Sequence, residues 1–145
     1  MPRGEEQLRE RCEEIFQTQV AGLARRLEHL GTPPVALGLS GGLDSTLALL
    51  VSCKTMDALG VPRTRVLGYT LPGFGTTPRT RCNALALMRH LGVTAREVDI
   101  RELCLEEMRA LGHRPFGINL EDLDLEAFTA RLLQLPAVPD RKSVV

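Results

Sequence analysis

From Glu5 to Leu30 an apolar residue recurs every three or four positions: Leu8, Cys12, Ile15, Phe16, Val20, Leu23, Leu27 and Leu30, with Glu and Arg between them. That spacing gathers the apolar side chains into one stripe and predicts an amphipathic helix over 5–30. Gly31 and the pair Pro33-Pro34 stop it. The pattern then changes. Val35-Ala-Leu-Gly-Leu39 is short, continuous and apolar, which suits a strand buried on both faces. Residues 43–59 are apolar almost all round except Lys54 and Asp57, so a well-buried helix is expected there.

The alternation repeats. Residues 66–71 and 95–100 read as strands, and 79–91 and 100–111 as helices. Asp99 and Glu102 have the D-x-x-E spacing of a capping box for the last of these. Four helices close on Leu-Gly (30–31, 59–60, 91–92 and 111–112), each glycine placed for a left-handed C-cap. Strand starts roughly 30 residues apart match a βαβ unit. Right-handed crossovers then give an α/β, doubly wound parallel sheet. After Gly112 the pattern loosens into a loop, His113–Gly117, and a short amphipathic helix from Asp124 to Pro136.

Composition changes this picture little. The 145 residues hold 18 Lys+Arg against 18 Asp+Glu, with no apolar run long enough to span a membrane and no signal-like N-terminus. Zero net charge and only five aromatics argue against a general nucleic-acid binder. Cys12, Cys53, Cys82 and Cys104 show no C-x-x-C spacing and read as buried hydrophobes of a reducing, cytoplasmic compartment. Asp140-Arg-Lys-Ser-Val-Val145 fits nothing upstream. It matches one reading frame of a common sequencing-adapter oligonucleotide, and it contains one of only two lysines. Residues 140–145 are therefore expected to be a non-native tail, and 5–139 a domain.

The chemistry concentrates in Gly38, Leu39, Ser40, Gly41, Gly42, Leu43, Asp44 and Ser45, between a strand and a helix. Glycines 41 and 42 permit a tight turn and close approach of backbone N–H groups, Ser40, Ser45 and Thr46 add hydroxyls, and the following helix aims its positive end at the loop. That is a polyanion cradle. It lacks the lysine of a Walker A loop and the glycine order of a dinucleotide fingerprint. A carboxylate beside phosphates repels them unless a metal intervenes, so Asp44 points to Mg²⁺ bridging to phosphate oxygens; the alternative is that Asp44 or Ser40 is a simple N-cap in a glycine turn.

Ser40-Gly-Gly-Leu-Asp-Ser45 resembles the PP-loop of the ATP pyrophosphatases, which cleave ATP between its α- and β-phosphates. Thr70-Leu-Pro-Gly-Phe-Gly-Thr-Thr77, Arg79, Asn83-Ala84 and Leu91-Gly-Val93 are similar to NAD synthetase. Cys12-Glu-Glu-Ile-Phe16, Gln19, Gly22–Leu27, Leu111-Gly-His113 and Pro115–Ile118 resemble its glutamine-dependent form. The resemblance implies an adenine nucleotide alpha hydrolase-like fold, of which this chain supplies the N-terminal half. It implies ATP and Mg²⁺ as cofactors, with residues 38–45 on the phosphates, Asp44 on the metal, and backbone at Leu39 and Leu71 beside adenine. The reaction implied is a ligase step: amidation of deamido-NAD through an adenylate, with ammonia from a glutaminase domain absent here, in a homo-oligomer when full length. No protein nucleophile is needed, and no catalytic side chain is expected.

In that fold the first strand lies at the sheet centre, so Val35–Leu39 is expected to be an apolar edge in this chain, inactive alone and poorly soluble. Another PP-loop enzyme, acting on tRNA or a different acid, would want basic patches or cysteine pairs. A non-catalytic ATP-binding module is the remaining alternative. His29 and His90 fall in last helical turns, and His113 in a loop where a structural role is expected. Arg79 and Arg81 stand as either phosphate contacts or solvated helix-start residues.

Overall fold

The computed structural model describes residues 4–135; the 140–145 tail lies outside the described residues. The chain divides into two compact units, one of residues up to 71 with 76–98, the other of 72–75 with those from 99 on.

In the first unit α1 (Glu5–His29) leads into three parallel strands, β1 (Val35–Gly38), β2 (Val66–Thr70) and β3 (Thr94–Glu97), joined by α2 (Leu43–Ala58) and α3 (Pro78–Leu91). A single 3-10 turn, Arg63–Arg65, precedes β2. The strands lie in the order β1-β2-β3, with Val35 opposite Val66 and Leu67 opposite Thr94. The α/β class with a parallel sheet is thus as the sequence predicts. Right-handed crossovers between consecutive neighbours put both crossover helices on one face. Leu49 and Met56 of α2, Ala84 and Met88 of α3 and Val66 of β2 accordingly share one buried core.

The four Leu-Gly stops all close the same way. Gly31, Gly60, Gly92 and Gly112 have positive φ. In each case the N–H two residues past the leucine bonds back over the last turn: Thr32 to Leu27, Val61 to Met56, Val93 to Met88 and His113 to Met108. This is the Schellman arrangement, which satisfies helix-end carbonyls. Val93 and Met88 are also buried together, which ties the stop to the core.

Four burial expectations need correction. Central β2 buries Val66, Gly68 and Thr70, but β1 alternates, with Ala36 and Gly38 exposed. Val35 and Leu37 pack on the core and the alternate side chains do not, so β1 is partly buried on one face and open on the other; its outer edge has no partner strand among the described residues. On α2, Leu43, Leu47 and Leu50 are exposed, Leu43 at 82%. That helix packs on α1 and the sheet and turns its remaining side outward. On α1 only Val20 and Leu27 are buried, while Leu8 and Ile15 remain exposed. Of the cysteines, all expected to be buried, Cys53 is buried and Cys104 half-buried, whereas Cys12 and Cys82 are exposed on the outer sides of α1 and α3.

The second unit holds α4 (Arg101–Ala110), a 3-10 turn at Pro115–Gly117 and α5 (Leu125–Gln134). Leu105, Leu120 and Phe128 form its core, and Phe74 meets the Phe128 ring edge-on at 5.0 Å. The Arg109 guanidinium donates to the Leu120 carbonyl at 3.0 Å and also to that of Leu123. Asp124 caps α5 by accepting the Ala127 N–H at 2.7 Å. The capping box expected at α4 is replaced by another arrangement. Its N-cap is Ile100, and the Asp99 carboxylate instead accepts the Arg101 N–H at 3.0 Å and pairs with the Arg101 guanidinium.

Candidate nucleotide-binding site

Strand pairing continues one residue past β1, where the Leu39 N–H donates to the Tyr69 carbonyl at 2.7 Å. Leu39 is buried, which anchors the loop that follows to the core. Gly41 then turns the chain with φ +81°, a conformation that costs a residue with a Cβ about 1–2 kcal/mol. Space is also closed there. A Cβ at Gly41 would lie 2.5 Å from the carbonyl oxygen of Thr80, so the loop rests against the first turns of α3.

Hydroxyls brace the turn from inside. The Ser40 Oγ accepts the Gly42 N–H at 3.3 Å and stands 3.3 Å from the Ser45 Oγ. The Ser45 and Thr46 hydroxyls donate to the Gly42 carbonyl at 3.1 and 2.8 Å. Gly42 is the N-cap of α2, and no side chain caps that helix. Neither Ser40 nor Asp44 therefore acts as an ordinary cap for the first-turn N–H groups. Those groups, together with the helix dipole, make a site suited to phosphate.

Asp44 is exposed in the first turn of α2 and enters no ion pair among the described residues. A lone carboxylate beside hydroxyl oxygens fits a Mg²⁺ ion held mainly by substrate phosphates and water, the usual habit of that ion. It does not fit a standing metal centre, and no group of three or more His, Cys, Asp or Glu that could hold one occurs among the described residues.

The remaining sequence-predicted residues sort by position. Leu71 is exposed just past β2, whereas Leu39 has its N–H committed to the sheet and can offer a base only its carbonyl. Arg81 is held in a bidentate pair by Glu97, at 2.7 and 2.6 Å. Arg79 is exposed and unpaired among the described residues. His29 and His90 are exposed at the ends of α1 and α3. In the second unit, His113 lines a shallow pocket of about 260 Å³ with Arg109, Arg114 and Glu121.

Thr77 escaped the sequence reading. It caps α3 by accepting the Thr80 N–H at 3.2 Å, with Pro78 at the first helical position. The dipeptide Thr77-Pro78 is itself a helix-start signal.

A family model described as NAD synthase matches residues 15–133. The chain belongs to this family. It is 47% identical over 117 residues to the glutamine-dependent NAD(+) synthetase of Mycobacterium leprae, and the match covers 81% of the chain but 17% of that protein. Its identity to the same enzyme of Mycobacterium tuberculosis H37Rv is 41%, over 86% of the chain and 18% of the relative. Among solved structures, the glutamine-dependent NAD+ synthetase of Acinetobacter baumannii in complex with ADP superposes with a TM-score of 0.62 at 31% identity. That match covers 81% of this chain and 21% of the other. The chain thus spans less than a quarter of the length of these relatives.

Proposed function

We propose that this chain is the ATP-phosphate-binding part of an NAD synthetase, a ligase that amidates deamido-NAD. The observation that carries the reading is the Ser40–Ser45 turn: a left-handed Gly41, two facing serine hydroxyls and an uncapped α2 N-terminus at the carboxyl end of a parallel strand. Gly38, Leu39, Ser40, Gly41, Gly42, Leu43, Asp44 and Ser45 receive ATP, with Leu71 beside the base. Asp44 is the protein ligand of Mg²⁺, which supplies charge neutralisation at the phosphate oxygens when bound.

The substrate carboxylate attacks the α-phosphorus, pyrophosphate leaves, and ammonia displaces AMP from the adenylate. The α2 N–H groups and the Ser40 and Ser45 hydroxyls stabilise the charge that gathers on the leaving pyrophosphate. Holding and orienting ATP carries the rate, so no side chain here serves as a nucleophile. In the full-length enzyme a glutaminase domain supplies the ammonia and the protein is a cytoplasmic homo-oligomer. Among the described residues no helix is long and apolar enough to cross a membrane.

Calorimetric titration of the chain with ATP, with and without Mg²⁺, tests the reading. Stoichiometric, Mg²⁺-enhanced binding is expected; absence of ATP binding by soluble, folded chain overturns it. Sustained NAD formation by the chain alone from ATP, deamido-NAD and ammonia would overturn the expectation that it is only part of the synthetase.

A further inference from the structure

The phosphate loop contains an acid, Asp44, and no basic side chain between Gly38 and Thr46. A triphosphate carries several negative charges, and one divalent cation leaves it a net anion. Backbone N–H groups alone meet that excess with partial charges only, whereas guanidinium–phosphate contacts are among the stronger hydrogen bonds a protein makes. A cation from a neighbouring element would complete the cradle.

Gly41 identifies that element. Its α-carbon lies so close to the Thr80 carbonyl that no side chain fits, which fixes the first turns of α3 directly against the loop. The start of α3 carries two arginines, Arg79 and Arg81. They differ sharply in circumstance. Both Arg81 donors reach the Glu97 carboxylate, at 2.7 and 2.6 Å, so its charge is compensated and its side chain held at β3. Arg79, next to the residue that touches Gly41, is exposed and has no acidic partner among the described residues. The capping bond from the Thr80 N–H to the Thr77 hydroxyl holds the turn that carries it.

We infer that Arg79 is a phosphate-contact residue, supplying the basic side chain that the loop itself lacks and binding the part of ATP that leaves as pyrophosphate. This rests on the reading of residues 38–45 as an ATP site and adds a member from a different helix. Arg81 is a positioning residue that pins α3 to β3.

The test is calorimetric titration of the full chain, wild type and Arg79→Ala, with Mg²⁺–ATP, Mg²⁺–pyrophosphate and AMP. The expected result is about tenfold or greater weakening for ATP and pyrophosphate, the scale of a charge-assisted hydrogen bond, with AMP affinity unchanged. The loss should shrink as salt is raised, because a charge contact at an exposed site is screened. Arg79 is exposed, so the variant should keep the wild-type melting temperature. Wild-type binding of ATP matched by Arg79→Ala overturns the inference alone, as does a loss equal for ATP and AMP. Failure of the wild type to bind any of the three overturns the ATP-site reading and this inference with it.

Discussion

The carbonyl oxygen of Thr80 occupies the space a side chain at position 41 would need, at 2.5 Å from the place of its Cβ. Gly41 also has φ +81°, so two separate constraints exclude any other residue there. Gly41→Ala should therefore destabilise the chain by at least about 1–2 kcal/mol from the left-handed backbone alone. Chemical denaturation would measure this. ATP titration of the folded fraction should show the cradle lost as well, since relief of the overlap requires the loop to part from α3.

Asp44 behaves differently under substitution. It is exposed and has no partner among the described residues, so Asp44→Ala should leave stability within about 0.5 kcal/mol of wild type. Its effect should fall on the metal: Mg²⁺ should no longer strengthen ATP binding, as read by titrations with and without the ion. Undiminished Mg²⁺ enhancement in the variant would contradict the ligand assignment.

Asp57 and Arg63 give a pH signature. Arg63 donates twice to the Asp57 carboxylate, at 2.8 and 2.7 Å, and once to the Leu91 carbonyl at 3.3 Å, bracing the far end of α2 against that of α3. The Arg63 hydrogen bond holds the Asp57 carboxyl below the usual aspartate range. A depressed folded value stabilises the fold above the unfolded aspartate's titration and ceases to do so as pH falls through the folded value. The pair is partly exposed, so Asp57→Asn should cost no more than about 1 kcal/mol at neutral pH. Melting temperatures of wild type and variant, followed downward in pH, should converge once the carboxyl of the wild type is protonated.

Asp124 caps α5 through a 2.7 Å bond from the Ala127 N–H, beside the Phe128 that fills the core of the second unit. Asp124→Ala should lower stability by about 0.5–2 kcal/mol, measurable by urea denaturation. ATP affinity should not change, because the loss falls outside the unit that holds the loop.

The order β1-β2-β3 leaves one edge of β1 without a partner strand among the described residues, and Ala36 is exposed on a face of that edge strand. Apolar edge strands invite association, and a lysine on the edge discourages it. Ala36→Lys should reduce concentration-dependent light scattering while leaving the melting temperature close to that of wild type.

The elements themselves were legible because their signals are local. Hydrophobic period placed the five helices and three strands of the described residues within a few residues, and the Leu-Gly pairs marked four Schellman stops. The turn after β1 was equally readable as a shape, since Ser40-Gly-Gly and Ser45 build it from neighbours in sequence. What could not be read was what lies against each surface. Leu8, Ile15 and Leu43 belong to apolar patterns, yet their burial depends on tertiary partners that periodicity does not report. Asp99 had the spacing of a cap, but an arginine two residues on competes for its carboxylate and wins. The contact between Gly41 and Thr80 joins the β1–α2 loop to the start of α3 and leaves no pattern in the chain. Nor could sequence separate Arg79 from Arg81, because the difference between them is Glu97 on β3.

In this sheet each strand lies beside the next one along the chain. Among the described residues, pairing of β1 with β2 and of β2 with β3 therefore follows the direction of synthesis. Contacts between near neighbours in sequence close quickly, since little loop entropy is lost in forming them. The loop, the strand beside it and the turn of α3 that supports it all lie between Val35 and Ala84. On the proposed reading of residues 38–45, a nascent chain extended that far beyond the ribosome already holds the loop and the turn that supports it, and nucleotide bound there would stabilise what has folded.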